Sequence, residues 1–153
     1  MEHSRELRIG LVLGSGSSRG LSHIGIISEL LEQGVTPHVV CGTSVGAMVG
    51  AAWVTGRLDK LREWALGMTR FRAARFLNIN ARFTGFLDID RFDAFLNEFV
   101  ADDDTLIEDA PTTFGAVATE MATARERWLT EGSLKEAVWA SMALPGLFPP
   151  RRW

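Results

Sequence analysis

The stretch Gly42-Thr43-Ser44-Val45-Gly46 sets a serine between two glycines, each two positions away from it. Serine attacks an acyl carbon only when its hydroxyl stands clear of the backbone and open to substrate. A sharp turn from strand to helix achieves this, but it crowds the positions two before and two after the serine, so only very small residues fit there. A helix beginning at Val45 also aims free N–H groups and the positive end of its dipole at the site. The chemistry in view is acyl transfer, with Ser44 as nucleophile and Gly42, Thr43, Val45 and Gly46 as its elbow. A plainer reading uses the same residues: the glycines permit close strand–helix packing and Ser44 caps the helix.

A second cluster, Gly14-Ser15-Gly16-Ser17-Ser18-Arg19-Gly20, admits three chemistries. A dinucleotide site wants G-x-G-x-x-G and an acidic residue near the end of the next strand. Here the third glycine is displaced by one, to Gly20, and the next strand ends in Val40-Cys41. A phosphate loop wants Gly-Lys-Ser/Thr, which is absent. The third use is an oxyanion hole built from the backbone N–H groups of Ser15, Gly16, Ser17, Ser18 and Arg19; losing one such donor costs roughly two to three orders of magnitude in rate.

Both clusters need elements to hold them. Residues 8 to 14 read as a buried strand, and Leu21 to Gln33 as a helix with Leu21, Ile24, Ile27, Leu30 and Leu31 on one face, stopped at Gly34. Pro37 opens a second buried strand, 38 to 41. A helix of small residues, Ala47 to Val54, follows the serine turn and closes at Gly56. Strand, helix, strand, helix is a βαβ unit, which predicts a parallel sheet whose loops 15 to 20 and 42 to 46 face each other at the carboxyl ends of their strands. Asp59 to Met68 reads as a helix burying Leu61, Trp64, Ala65 and Met68, and Asp90 as the N-cap of a helix burying Phe92, Phe95, Leu96 and Phe99. Asp102 to Asp104 reads as a solvated loop, 113–119 and 126–130 as a strand pair. Ser133-Leu134-Lys135-Glu136 reads as a capping box opening a helix through Met142.

At 153 residues the chain fits one domain able to bury a core. A net charge of −3 argues against nucleic acid as a partner, since phosphate neutralisation needs excess Lys and Arg. A lone cysteine, Cys41, excludes an internal disulfide and a cysteine metal cage. The apolar run near the N-terminus is too short for a signal peptide core or a bilayer span, so the expectation is a cytoplasmic protein. Between Arg70 and Phe86, arginines 70, 72, 75 and 82 interleave with phenylalanines 71, 76, 83 and 86. This pattern fits either a lid in peripheral contact with a membrane or core phenylalanines with arginines extended outward; the second is favoured for most of them.

Taken together, these pieces resemble the patatin-like phospholipase family, closest to its bacterial and neuropathy-target-esterase-like members. Ser15-Gly16-Ser17-Ser18-Arg19-Gly20 corresponds to that family's glycine-rich block, and Gly42 to Gly46 matches its nucleophile block. A third block, Ala-Ser-x-Ala-x-Pro-x-x-Phe-x-Pro, is matched from Ala140 to Pro150, and Phe114 to Glu120 is similar to the strand before it. The resemblance implies a mostly parallel, three-layer α/β fold, with residues 1–153 as the N-terminal portion of the acyl hydrolase domain. It implies a Ser–Asp dyad with Ser44 as nucleophile, no cofactor or metal, and phospholipid, lysophospholipid or other acyl ester substrates.

Two departures stand out. Ser15 and Ser17 replace loop glycines, which strains any position requiring positive φ. The family's aspartate lies in an Asp-Gly-Gly/Ala block beyond the Phe-x-Pro segment, and none of Asp88, Asp90, Asp93, Asp102, Asp103, Asp104 or Asp109 stands in that context. The expectation is a chain truncated before its general base. His23, on the helix after the first loop, is expected to be structural. The alternatives are a fragment or binding module without turnover, and an acyltransferase on a related scaffold.

Overall fold

A computed structural model describes residues 7–68, 89–145 and 148–153. The Arg70–Phe86 segment lies outside them. Four strands, β1 (Gly10–Leu13), β2 (Val39–Thr43), β3 (Thr113–Glu120) and β4 (Arg125–Leu129), form one sheet in that order. β1, β2 and β3 run parallel, and β4 returns antiparallel beside β3. Among the described residues five α-helices accompany them: α1 (Ser22–Glu32), α2 (Val45–Val54), α3 (Leu58–Leu66), α4 (Ile89–Phe99) and α5 (Leu134–Met142). A short 3-10 turn, Ser17–Leu21, fills most of what the sequence suggests is plain loop. The architecture is the mixed α/β fold expected from the sequence.

α2 is the centre of the molecule. Its residues are apolar or glycine all round and nine of its ten are buried, as a helix enclosed on every side must be. Its small side chains let it lie close to the sheet; a Cβ on Gly50 would stand 3.0 Å from Val40. The sheet is buried on the face α2 covers, where Leu13, Val40, Phe114, Ala116 and Leu129 are enclosed. The opposite face corrects the expectation of two fully buried strands. Val12 there is 76% exposed, and Val39 and Trp128 are also exposed. The connections step the same way from β1 to β2 to β3, and the general rule that such parallel crossovers are right-handed puts their helices on one side.

Smaller differences have local causes. Asp90 lies inside the first turn of α4 rather than before it, where its charge opposes the helix dipole favourably. Ser133 caps α5 by accepting from the Glu136 N–H, but the Glu136 carboxylate turns to Arg151 instead of completing the capping box. The acidic loop is not merely solvated, since Asp102 pairs with Arg57 and Asp103 with Lys135. Lys135 is buried on α5, and its second partner is Asp93 of α4 at 2.9 Å. Burial opposes its charge, but the hydrogen bonds to Asp103 and Asp93 outweigh that and raise its pKa. One ammonium thus ties α4, the acidic loop and α5 together behind the cavity described next.

Candidate active site

Ser44 is the residue between β2 and α2, with φ 55° and ψ −122°. Side chains rarely tolerate that conformation, and holding it costs about 1–3 kcal/mol. The neighbouring glycines explain how it is reached. A Cβ on Gly42 would fall 2.4 Å from the Gly46 carbonyl carbon, and one on Gly46 would fall 2.2 Å from the Leu13 carbonyl oxygen. The first turn of α2 therefore rests directly on the end of β1 and on its own incoming strand. Ser44 starts α2, its carbonyl accepting from Met48 N–H at 3.0 Å, yet its side chain makes no capping bond. The plain capping role is thus not used, and the hydroxyl is left over.

Ser44 lines a cavity of about 950 Å³. Thr43 and Val45 line it beside Ser44, while Ser15, Ser17 and Ser18 come from the turn after β1. Adjacent parallel strands bring the two sequence clusters together, with Leu13 paired to Gly42 as the last β1–β2 rung. Gly16 and Arg19 belong to the same turn but do not line the cavity. Arg19 N–H donates to the Gly16 carbonyl at 3.0 Å, closing the turn. Ser17 and Ser18 lie in the first turn of the 3-10 segment, where N–H groups lack an intrahelical acceptor. Ser17 has φ 50°, the strain expected where serine replaces a loop glycine. Gly20 is packed against Val45, which a Cβ would meet at 2.9 Å.

The far wall is aromatic. Trp64 of α3 and Phe95 of α4 have ring centres 4.7 Å apart, and Phe92 lies 4.6 Å from Phe148 of the third block. All four rings line the cavity, as does Met48 of α2. Sequence periodicity marks Trp64, Phe92 and Phe95 as core but does not show that they share a cavity with the serine. Among the described residues no aspartate lines the cavity; its carboxylate is Glu120, at the end of β3, which accepts from Thr123.

Ser141 was visible in the sequence only as part of a block, and its contact is a finding of the structure. Its hydroxyl accepts from Ser44 N–H at 2.8 Å and donates to the Val117 carbonyl at 2.6 Å. The described histidines, His23 and His38, do not line the cavity: His23 Nε2 donates to the Gly14 carbonyl at 2.9 Å, and His38 Nδ1 accepts from Ile9 N–H at 3.1 Å. Both pairings are structural. Cys41 is half-buried on β2 and its thiol pKa is raised by burial, the opposite of what a nucleophile needs. Among the described residues no cluster of three His, Cys, Asp or Glu could hold a metal, and no helix is long and apolar enough to cross a membrane.

A family model of patatin-like phospholipases matches residues 11–153. The chain belongs to the patatin-like phospholipase family. It is 35% identical over 143 residues to uncharacterized NTE family proteins of Mycobacterium tuberculosis and Mycobacterium bovis, an alignment that takes in 94% of this chain and 39% of theirs. It is 33% identical over 147 residues to neuropathy target esterase sws of Drosophila melanogaster, covering 93% of this chain and 10% of that protein. The patatin-like chain described here thus spans about two fifths of the length of its mycobacterial relatives. Membership places it in a family of lipid hydrolase type.

Proposed function

We propose that this patatin-like chain carries the nucleophile and oxyanion half of a serine-dependent lipid acyl hydrolase. The observation that carries the reading is Ser44: a strained turn residue that lines a large aromatic-walled cavity and whose hydroxyl caps nothing. Ser44 Oγ attacks the carbonyl carbon of an acyl ester. The N–H groups of Ser15, Ser17 and Ser18 receive the negative charge that develops on the carbonyl oxygen, aided by the N-terminus of α2. Collapse of that intermediate expels the alcohol and leaves an acyl-serine, which water then hydrolyses. The proton of Ser44 passes to a carboxylate base, an aspartate in the Ser–Asp dyad of this family. The base gives it to the departing alcohol, then takes one from the attacking water and returns it to Ser44. The aromatic wall supplies an apolar bed for an acyl chain, favouring phospholipid, lysophospholipid or other long-chain esters over small soluble ones.

A fluorophosphonate probe tests the reading, because it phosphonylates only an activated serine. Labelling of the wild-type protein that Ser44→Ala abolishes is the expected result; labelling that persists in the variant sinks it. The second reading is acyl binding without turnover, favoured by the lack of a cavity-lining aspartate among the described residues. It expects a fluorescent fatty acid to bind in the cavity while the wild-type protein neither labels nor hydrolyses esters above Ser44→Ala.

A further inference from the structure

The β2–β3 ladder ends at the Thr43–Val117 rung. Just beyond that rung the Ser44 N–H and the Val117 carbonyl are both bound to the same side-chain oxygen. That oxygen bridges the two. Ser141 Oγ takes the Ser44 N–H at 2.8 Å and gives its own proton to Val117 O at 2.6 Å. A hydroxyl has one proton, so once that proton is committed to Val117 the lone pair is the only part left to face Ser44. The orientation of the hydroxyl is therefore determined, and so is its role as acceptor toward the serine turn.

This oxygen lies at the junction of three elements that are far apart in the chain. Ser141 is 97 residues from Ser44 and 24 from Val117, and it sits in the last turn of α5. The other backbone tie of Ser44, its carbonyl to Met48 N–H, comes from α2. With both its N–H and its C=O bound, Ser44 is held at φ 55° from two sides, and its Oγ alone is uncommitted among the described residues.

We propose that Ser141 is the positioning residue of Ser44: its hydroxyl, inserted as a wedge between β3 and the serine turn, sets the direction in which the Ser44 side chain meets the cavity. The proposal rests on Ser44 being the nucleophile. Ser141 touches the backbone of Ser44 and not the reacting atoms, so it acts on the rate of bond formation and leaves the affinity of the cavity for an acyl chain alone. It also assigns the third sequence block a function: the block carries the wedge that fixes the nucleophile of the second.

The test compares wild type with Ser141→Ala and Ser141→Thr, the latter keeping the hydroxyl. Two readouts are taken. The first is fluorophosphonate inactivation resolved into its maximal rate and its half-saturating probe concentration. The second is backbone amide exchange at Ser44 and Met48. For Ser141→Ala the maximal rate is expected to fall about 10- to 100-fold, the scale of a misplaced reacting group, with half-saturation within about twofold. Ser44 amide exchange is expected to rise about tenfold or more with Met48 unchanged, as for loss of a local hydrogen bond without unfolding. Ser141→Thr is expected to recover most of both. An unchanged Ser44 exchange rate in Ser141→Ala overturns the proposal, as does a rate loss that the threonine variant fails to recover. If the wild type does not label at all, the nucleophile reading fails. The exchange readout then still decides the wedge itself, which stands if Ser44 alone loses protection and falls if it does not.

Discussion

Gly46→Ala is the substitution for which the elbow geometry makes its sharpest demand. The added methyl carbon would fall 2.2 Å from the Leu13 carbonyl oxygen and 2.6 Å from that of Gly14, more than about 1 Å inside ordinary van der Waals contact. Neither obstacle is a flexible side chain. Leu13 belongs to β1 and pairs with Gly42, while the Gly14 carbonyl accepts from His23 Nε2 at 2.9 Å. The strain must be met by lifting the first turn of α2 from the sheet, and the core residues around it are packed with no room to follow. The expected loss is about 3 kcal/mol, the upper end of what overpacking costs, or a fall of roughly 6–12 °C in Tm for a domain of this size. Urea unfolding followed by circular dichroism measures it, with an unchanged m-value showing that the unfolded state is not involved. Gly25→Ala is the matched control. It lies mid-helix in α1 with nothing within 4 Å of its added carbon, so it should stabilise by about 0.5–1 kcal/mol. A Gly46→Ala loss under about 1 kcal/mol, with Gly25→Ala behaving as expected, would refute the close-packing argument for the elbow.

Two further predictions concern strain and charge. Ser44→Gly should raise stability by about 1 kcal/mol while abolishing fluorophosphonate labelling, because glycine adopts the turn conformation without the penalty serine bears; a destabilised variant in urea titration would show that the turn is not strained. Asp103 has its pKa held below the usual 3.8 by its hydrogen bond to Lys135 and by that residue's charge. Its contribution is therefore complete above that value and is lost as pH falls through the lower folded value. Lys135 has its pKa raised, so its contribution holds below 10.5 and is lost only as pH rises beyond it. Urea midpoints should change little on this account from pH 5 to 9 and decline below pH 4. In Lys135→Met the acid decline should be shallower, and an identical pH profile would contradict the pairing.

The elbow could be read from the sequence because its constraint is local: a serine two residues from each of two glycines describes a turn that needs no knowledge of the rest of the chain. The buried face of α4 was legible for the same reason, its apolar residues recurring at helical spacing, whereas of the face expected for α1 only Ile24 and Ile27 are buried and Leu31 is exposed. The parallel order of β1 and β2 followed from the βαβ alternation, and with it the meeting of the two small-residue clusters. Other properties depend on which elements become neighbours. Alternation along a four-residue strand does not reveal that both crossovers lie on one side, so the exposure of Val12 is a result of tertiary handedness. Trp64, Phe92 and Phe95 read as core because periodicity registers apolarity and not whether the surrounding space is filled. Lys135 is a surface residue by type, and it becomes buried only where Asp93 and Asp103 arrive from other segments to compensate its charge. Ser141 shows the division most clearly. Its place in a sequence block was visible, but a hydroxyl's role is set by its donor and acceptor, and these come from residues 97 and 24 positions away. Local spacing determined that Ser44 stands on a sharp turn; the packing of β3 and α5 against that turn decided what holds it there.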